Sequence, residues 1–274
     1  MACKLLHVAR SAYHKWISGK PSLRATENER LAEKIEQIHT ESPDKGYRRI
    51  NDDLNHDHGV HFNDKRVLRI CRSRDIKSTI KYNNHGCTRQ AKNPQHLAEN
   101  LLSRQFYASK PNEKWLTDVT EFKWYEDFEV HKIYLSAILD LYDRRIVAAV
   151  TSERNDNSLV FKTFDKAVKE NSNAHPLFHS DRGFQYTSRV FCHKLVQAGM
   201  KQSMSRVAHC IDNGPMEGFC GILKRERYYG KRFTSKKALI QMIENYIRYY
   251  NTRRVQRNLG VLTPLEKHNL YLAA

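Results

Sequence analysis

The stretch Trp115-Leu-Thr-Asp-Val-Thr-Glu-Phe-Lys-Trp124 decides the fold class of this chain. Its β-branched and aromatic residues are typical of a strand, and the Tyr125-Glu-Asp127 that follows is typical of a turn. Asp118 stands in the middle of the predicted strand, although Asp is depleted in strands. A carboxylate buried without a partner destabilises the fold or takes up a proton, so we expect Asp118 to be paired or bound to a metal ion.

Outward from this strand, the pattern predicts four more strands and four helices. Residues 133–139 and 145–151 are again rich in β-branched residues, which favours three consecutive strands joined as hairpins. The chain then alternates, with helices over 155–170, 188–198, 215–227 and 234–250 and short strands over 175–180 and 201–204. Three antiparallel strands followed by helix–strand alternation indicate an α/β fold with a mixed five-stranded sheet covered by helices on both faces.

Two other acidic residues occupy positions suited to a functional site. Asp181 follows the fourth predicted strand, at the kind of strand end where open sheets bind ligands. Glu217 and Lys224 share one stripe of the predicted helix 215–227, at the edge of its apolar face. That apolar face consists of Met216, Phe219, Cys220 and Leu223. The helix therefore presents a carboxylate and an ammonium group together beside the sheet.

Asp118, Asp181 and Glu217 are the ingredients of a metal centre for phosphoryl transfer. Mg²⁺ and Mn²⁺ prefer carboxylate oxygens, and two such ions roughly 4 Å apart can activate an attacking oxygen and stabilise a leaving one. We therefore predict that these three residues are catalytic and ligate two divalent ions. Three further acids are interpreted as solvated or capping residues, namely Asp140, Asp143 and Asp212.

The N-terminal third of the chain predicts a helical module. A short helical segment is expected within 1–24, and Thr26-Glu-Asn-Glu29 has the spacing of a capping box before a helix over 27–40. Further helices over 47–56 and 63–74 make 25–80 similar to a helix-turn-helix DNA-binding module. Its candidate DNA contacts are Arg48, Arg49, Lys65, Arg66 and Arg69. Residues 81–110 are expected to be a polar linker with a short helix around 96–105, followed by a catalytic core over 111–270.

The charge of the chain indicates a polyanionic partner. Lys and Arg total 47 against 30 Asp and Glu, which gives a net charge of +17, and DNA is the polyanion that we expect. Lys224, Arg225, Arg253 and Arg254 are the candidate DNA contacts of the C-terminal part. No apolar run approaches the roughly 20 residues that span a bilayer, and no signal-peptide pattern is present, so we expect a cytoplasmic protein that acts at the nucleoid. The six cysteines form no C-x-x-C pair, which argues against a zinc finger or a disulfide framework.

Ordered blocks along nearly the whole chain resemble the second-reading-frame (OrfB) transposases of bacterial insertion sequences, whose catalytic core is similar to retroviral integrase. The blocks include Gly46-Tyr-Arg-Arg-Ile50, Pro111-Asn-Glu-Lys-Trp-Leu-Thr-Asp118, His179-Ser-Asp-Arg-Gly183 and Tyr249-Tyr-Asn-Thr-Arg-Arg254. The acidic triad of that family is written D, D and then E after 35 residues, and 35 residues lie between Asp181 and Glu217 here. The resemblance implies a ribonuclease-H-like fold, with Asp118, Asp181 and Glu217 as metal ligands and Lys224 as a DNA contact.

The resemblance also implies a reaction and partners. The expected reaction is Mg²⁺-dependent cleavage at the ends of an insertion sequence, followed by strand transfer into target DNA. The expected partners are DNA, further copies of the chain, because two ends must meet, and an upstream OrfA segment, fused or bound.

Two alternatives stay open, a catalytically inactive DNA-binding remnant that acts as a regulator and a ribonuclease-H-type nuclease. The first draws on departures from the family pattern. Val207 stands where a Lys is usual, and Gly214, Gly218 and Gly221 each weaken a helix by up to about 1 kcal/mol when interior.

Overall fold

The computed structural model describes residues 3, 7–19, 21–59, 61–80, 96–206 and 210–274. The chain divides into two compact units, residues 1–80 and 81–274, and each is described by itself. In the described ranges, none of the helices combines the length and the apolar character needed to cross a membrane.

The first unit is built from helices, as the sequence predicts. They are α1 (Arg10–Ile17), α2 (Leu23–Glu41), α3 (Tyr47–His58) and α4 (Asp64–Ser73). α2 begins earlier than expected because the Ser22 hydroxyl oxygen accepts a hydrogen bond from the Ala25 N–H and caps the helix. The predicted capping box at Thr26 is therefore wrong, whereas the helices predicted over 47–56 and 63–74 are confirmed.

A small apolar core holds α2, α3 and α4 together. Ile35, Ile50, Leu54 and Val67 are fully buried at its centre. Asn51 on α3 donates a hydrogen bond to Asp64 Oδ1 at 2.7 Å and so fixes the start of α4. These contacts hold the three helices in a defined arrangement. They matter most for α3 and α4, which have 12 and 10 residues, since isolated helices of that length are marginal in water.

α4 has two different faces. Val67, Ile70 and Cys71 are buried against α2 and α3. Lys65, Arg69 and Arg72 are exposed and follow the i, i+4, i+7 spacing of one helix face. We refer to these three residues as the α4 basic stripe.

The second unit contains the predicted mixed sheet. Its strands are β1 (Lys114–Glu126), β2 (Glu129–Asp140), β3 (Ile146–Ser152), β4 (Leu177–Ser180) and β5 (Lys201–Met204). The strand order is β3-β2-β1-β4-β5, so β1 is central. β2 runs antiparallel to both of its neighbours, whereas β4 pairs in parallel with β1 and β5 in parallel with β4. This is the ribonuclease-H-like arrangement that the resemblance implied.

Helices cover both faces of the sheet. They are α5 (Asn157–Glu170), α6 (Arg189–Gln197), α7 (Gly214–Leu223), α8 (Lys236–Thr252) and α9 (Pro264–Leu272), and α7 continues into a π-helical turn over Lys224–Tyr228. Alternate residues of β1 enter different cores, since Trp115 packs with residues of α5 and α6 while Leu116 packs with residues of α7 and α8. Asp118 is two residues after Leu116 on the strand, so its side chain lies on the same face of the sheet, the face that α7 covers.

Part of the predicted linker belongs to the second unit. Residues 81–95 lie outside the described residues. The helix expected around 96–105 is wrong, because this segment is irregular, with a turn in which Ser103 and Arg104 adopt positive φ. Leu102 is buried in the core, and the Leu101 and Leu102 N–H groups donate hydrogen bonds to Ser203 Oγ on β5 (3.0 and 3.2 Å).

Candidate active site

Asp118 lies on the central strand. Its neighbours on the same face, Leu116 and Phe122, are fully buried, whereas Asp118 itself is only partly buried. Asp118 Oδ1 accepts a hydrogen bond from the Val119 N–H at 2.8 Å. That bond uses one carboxylate oxygen and leaves the other available to a ligand.

Asp181 lies directly after β4, at its carboxyl end. The Gly183 N–H donates a hydrogen bond to Asp181 Oδ1 at 2.9 Å and closes a tight turn. The turn has little room for a side chain at Gly183, because a Cβ atom there would lie 3.0 Å from Asp181 Oδ1 and 3.0 Å from Gln185 Oε1, so that both side chains would have to shift. The Arg182-Gly183 pair that follows the strand thus orients the carboxylate.

Glu217 lies in the first turn of α7. The helix packs through Met216, Phe219, Cys220 and Leu223, which are all buried, as the angular analysis predicts. Pro215 stands in the first helical turn, where its missing N–H costs nothing. Glu217 stays partly exposed at the edge of this face, on the side of the sheet that carries Asp118.

The three carboxylates act on one another electrostatically. Burial, together with the charges of Asp181 and Glu217, raises the pKa of Asp118 to about 8. Burial also raises the pKa of Glu217, to which the charge of Asp181 adds. Burial raises the pKa of Asp181, against the hydrogen bond from Gly183. The fold therefore concentrates negative charge at one place, where a cation is favoured.

Lys224 supplies a positive charge beside this cluster. It follows α7 directly, and its Nζ lies 5.2 Å from the centroid of the Phe122 ring. Burial lowers the pKa of Lys224, and the charges of Cys220 and Asp118 oppose that shift. The Lys224 ammonium group therefore lies within electrostatic reach of Asp118.

The donor set fits a hard divalent cation in its chemistry, because it offers carboxylate oxygens whose mutual repulsion a cation relieves. Within residues 96–206, 210–274 and the described part of the first unit, no three His, Cys, Asp or Glu side chains are already arranged as a metal-binding cluster. Ligation by all three acids therefore requires their side chains to adjust.

Asp140, Asp143 and Asp212 were expected to be solvated or capping residues. They are not solvated, because all three are fully buried, but each accepts a hydrogen bond from a nearby backbone N–H group. Asp140 accepts hydrogen bonds from the N–H groups of Asn112 (2.6 Å) and Tyr142 (2.8 Å). Asp143 accepts one from the Arg145 N–H and lies 2.7 Å from His268 Nδ1 on α9.

Asp212 precedes α7 and is held by cations. Its carboxylate accepts hydrogen bonds from Arg206 (2.9 Å at both Nε and Nη2), Arg104 (2.7 Å) and Asn100 (3.0 Å). Hydrogen bonds from Arg206 are the main reason that the pKa of Asp212 lies well below its usual range. Asp212 thus anchors the segment that leads into the helix of Glu217.

Family models match both units of the chain. An integrase core domain matches residues 108–210, a second integrase core model matches 198–264, and an HTH-like domain matches 26–83. The chain is 38% identical over 259 residues to InsK of the insertion sequence element IS150 from Escherichia coli (strain K12), with 94% of this chain and 88% of that protein covered.

It is also 33% identical to the transposase for insertion sequence element IS904 from Lactococcus lactis, with 91% of this chain and 98% of that protein covered. The chain belongs to the insertion-sequence transposases with an integrase core. Membership in this transposase family makes the chain an enzyme that cuts and joins DNA. Among solved structures, a chain of a simian T-cell lymphotropic virus intasome is similar with a TM-score of 0.49 and 18% identity, covering 85% of this chain and 74% of that one.

The candidate DNA contacts of the transposase occupy three kinds of environment. Arg48, Lys65, Arg69 and Arg253 are exposed, and Arg225 is half-buried. Arg49 forms an ion pair with Asp44 at 3.0 Å, and Arg66 donates a hydrogen bond to Asn28 Oδ1 at 2.9 Å.

Arg254 does not belong to this set. It is largely buried and forms an ion pair with the buried Glu226 at 2.9 Å. The sequence did not reveal this pairing, because the two residues lie on different elements and both stand among many charges. Arg254 is therefore corrected from a candidate phosphate contact to a residue of the interior.

Three buried polar residues around the acids were missed, namely Thr117, Tyr186 and Asn213. Thr117 precedes Asp118, and Asn213 belongs to the Asp212-Asn block of the resemblance, so two of them stand beside residues that had been singled out. Tyr186 gave no signal, because a buried hydrogen-bonding Tyr looks like any core aromatic residue in a sequence.

Proposed function

We propose that this chain is a DNA transposase whose Asp118, Asp181 and Glu217 ligate two divalent cations, Mg²⁺ or Mn²⁺, and that it cleaves the ends of an insertion sequence and transfers them into target DNA. The observation that carries the proposal is the mutual repulsion of the three acids. Asp181 and Glu217 both raise the pKa of Asp118 across three separate elements, β1, the end of β4 and α7. A fold gains no stability from such a cluster, which favours a functional explanation.

The side chains have separate roles in this proposal. In both Asp118 and Asp181, one carboxylate oxygen accepts a hydrogen bond from a backbone N–H group. This bond orients the carboxylate and leaves the second oxygen for a ligand. Bound divalent ions would supply Lewis acidity at the scissile phosphate and would activate the nucleophile, which is water in cleavage and a DNA 3′-hydroxyl in strand transfer. Lys224, at the edge of the cluster, would hold a phosphate of the DNA through its ammonium group.

We assign DNA binding to exposed cations of the first unit, and to the partly buried Lys224 and Arg225 and the exposed Arg253 of the second. In the first unit we propose the α4 basic stripe together with Arg48, since an exposed basic helix after a short turn is the usual reading element of a helix-turn-helix. In the second unit we propose Lys224, Arg225 and Arg253. Arg49 and Arg66 contribute less, because an acid or amide of the same unit already binds each of them.

The assembly follows from the reaction. Two element ends must be joined to one target, so we propose that at least two copies act together on DNA at the nucleoid. An upstream OrfA segment, fused or bound, is the partner that we propose for the N-terminal unit. The working division is a helical segment over 1–24, a DNA-binding module over 25–80, a connecting segment over 81–110 and a catalytic core over 111–270.

The proposal is tested with the purified chain on end-labelled duplex and branched DNA in the presence of Mn²⁺. We expect nicked and joined products from the wild type, and none from Asp181→Asn. Asp165→Asn is the matched control, because Asp165 is an exposed acid of the same unit that only pairs with Lys194. The control should retain full activity.

The same experiment includes DNA binding by gel shift. Retained binding by Asp181→Asn, with products lost, places the carboxylate in the chemistry. If the wild type binds DNA but leaves it intact, even after an upstream segment is supplied, the catalytic assignment fails and a DNA-binding remnant takes its place.

A further inference from the structure

Thr117, the residue before Asp118, is a junction between the elements that carry the three acids. Its side chain is buried, and its hydroxyl donates a hydrogen bond to the Ala137 carbonyl on β2 at 2.9 Å. Because the hydroxyl proton is used there, Thr117 Oγ1 is the acceptor in its second contact, with the Tyr186 hydroxyl at 3.1 Å. The Thr117 hydroxyl thus links β1 both to β2 and to Tyr186.

Tyr186 brings the Asp181 turn to this junction. Its N–H donates a hydrogen bond to the Gly183 carbonyl at 3.0 Å, so Asp181 and Tyr186 belong to one closed turn. Its own carbonyl accepts a hydrogen bond from Gln202 at 2.8 Å, and its ring is fully buried against Phe191. A displacement of the phenol would therefore displace the turn that orients Asp181.

Asn213 brings the Glu217 helix to the same residue. It stands directly before α7, is 3% exposed, and donates a hydrogen bond from Nδ2 to the Thr117 carbonyl at 3.0 Å. That carbonyl belongs to the peptide group that leads into Asp118. The start of the helix is thereby tethered to the backbone beside the first acid.

We propose that Thr117, Tyr186 and Asn213 form a positioning clamp that fixes the three carboxylates relative to one another and so sets the affinity of the centre for a divalent cation. The inference rests on the proposed function, since it assumes that the acids bind the cation. None of the three residues needs to touch the cation or the DNA, so they are positioning residues. Residues that orient metal ligands typically change metal affinity by about 10–100-fold when they are removed.

Two other buried hydroxyls of the same unit serve as matched controls. Thr163 Oγ1 donates a hydrogen bond to the Leu159 carbonyl at 2.9 Å within α5. The hydroxyl of Tyr246, a residue of α8, donates a hydrogen bond to Glu226 Oε2 at 2.9 Å. Both are as buried as Thr117 and Tyr186, but neither connects two acids of the cluster.

The test measures Mn²⁺ binding to the full chain by electron paramagnetic resonance, with no DNA present. The variants are Thr117→Val, Thr117→Ser and Tyr186→Phe, with Thr163→Val and Tyr246→Phe as controls and Asp181→Asn as the measure of binding outside the acidic cluster. We expect Thr117→Val and Tyr186→Phe to weaken Mn²⁺ binding by about tenfold or more. Thr117→Ser should restore the wild-type affinity, and both controls should keep it while the thermal midpoint falls.

The outcomes separate the clamp from the proposed function. If Asp181→Asn loses Mn²⁺ but Thr117→Val and Tyr186→Phe bind it like the wild type, the clamp is overturned and the metal centre stands. If the wild type binds no more Mn²⁺ than Asp181→Asn, the metal centre fails and the clamp with it. Should Thr117→Val not fold, Tyr186→Phe decides, because it removes a single oxygen atom.

Discussion

Gly183 is the residue at which the active-site turn has the least room. A Cβ atom there would press on the Asp181 carboxylate and on Gln185 at 3.0 Å, whereas a Cβ at Gly218, beside Glu217, would meet nothing within 4 Å. If Asp181 ligates the cation as proposed, Gly183→Ala should turn it away from the cation and lower metal-dependent cleavage at least tenfold. Altering groups that orient a metal ligand typically costs about 10–100-fold.

Gly218→Ala is the control for Gly183→Ala, because a Cβ atom at Gly218 meets no other atom within 4 Å. Alanine in a helix interior is more stable than glycine by about 0.5–1 kcal/mol, which raises the thermal midpoint by a few degrees. Cleavage assays and thermal melts of both variants check this pair. Equal activity of Gly183→Ala and the wild type would show that the turn tolerates a side chain.

Asp140 makes the stability of the chain depend on pH. Burial and the charge of Asp143 raise its pKa to about 7 in the folded chain, from 3.8 in the unfolded chain. The folded state therefore binds more protons than the unfolded state between these values, and the free energy of unfolding falls as pH rises through them. The slope from this group is about 1 kcal/mol per pH unit.

Asp140→Asn should remove that slope. Urea unfolding of the wild type and the variant between pH 5 and pH 8 measures it, with Asp165→Asn as the exposed-acid control. As pH rises to about 7, the free energy of unfolding of the wild type should fall relative to that of Asp140→Asn. Above pH 7 the two curves of unfolding free energy against pH should be parallel. Parallel curves over the whole range would mean that Asp140 is ionised throughout.

The strands and helices that depend on interactions between nearby residues could be predicted from the sequence. β-Branched and aromatic residues identified the strands, and the angular pattern of α7 predicted Met216 and Phe219 inward and Glu217 at the edge. Arg104 as a partner of Asp212 and His268 as a partner of Asp143 could not be predicted, because each pair is more than 100 residues apart along the chain. The same long-range hydrogen bonding, from Leu101 and Leu102 to Ser203, holds residues 96–105 in an irregular path where local propensity suggested a helix.

The α4 basic stripe should contribute to the salt dependence of DNA binding. Each phosphate contact releases counterions, so losing one lowers the slope of log affinity against log salt by about 1. We expect Lys65→Ala and Arg69→Ala each to lower the slope and to weaken DNA binding. Arg30→Ala should not, although Arg30 is equally exposed on α2. Fluorescence anisotropy at several salt concentrations measures this, and an unchanged slope for both stripe variants would assign the binding to another face.

The whole molecule has a core in each of its two units. In the first unit the core is centred on Ile35, and in the second one of its cores contains Ile243, each fully buried. A unit of about 80 residues buries a smaller fraction of its surface than one of about 190, so it is the less stable of the two on size alone. We therefore expect calorimetry of the full chain to show two transitions, the lower one from the first unit.

Core substitutions assign the transitions. Replacing a buried Ile by Ala costs about 2–5 kcal/mol, and the same loss shifts the midpoint further in a small unit than in a large one. Ile35→Ala should lower only the first transition and weaken DNA binding, while the second unit keeps its Mn²⁺ binding. Ile243→Ala should lower only the second. A single transition that both substitutions shift together would mean that the two cores unfold as one cooperative structure, and that the first unit draws its stability from the second.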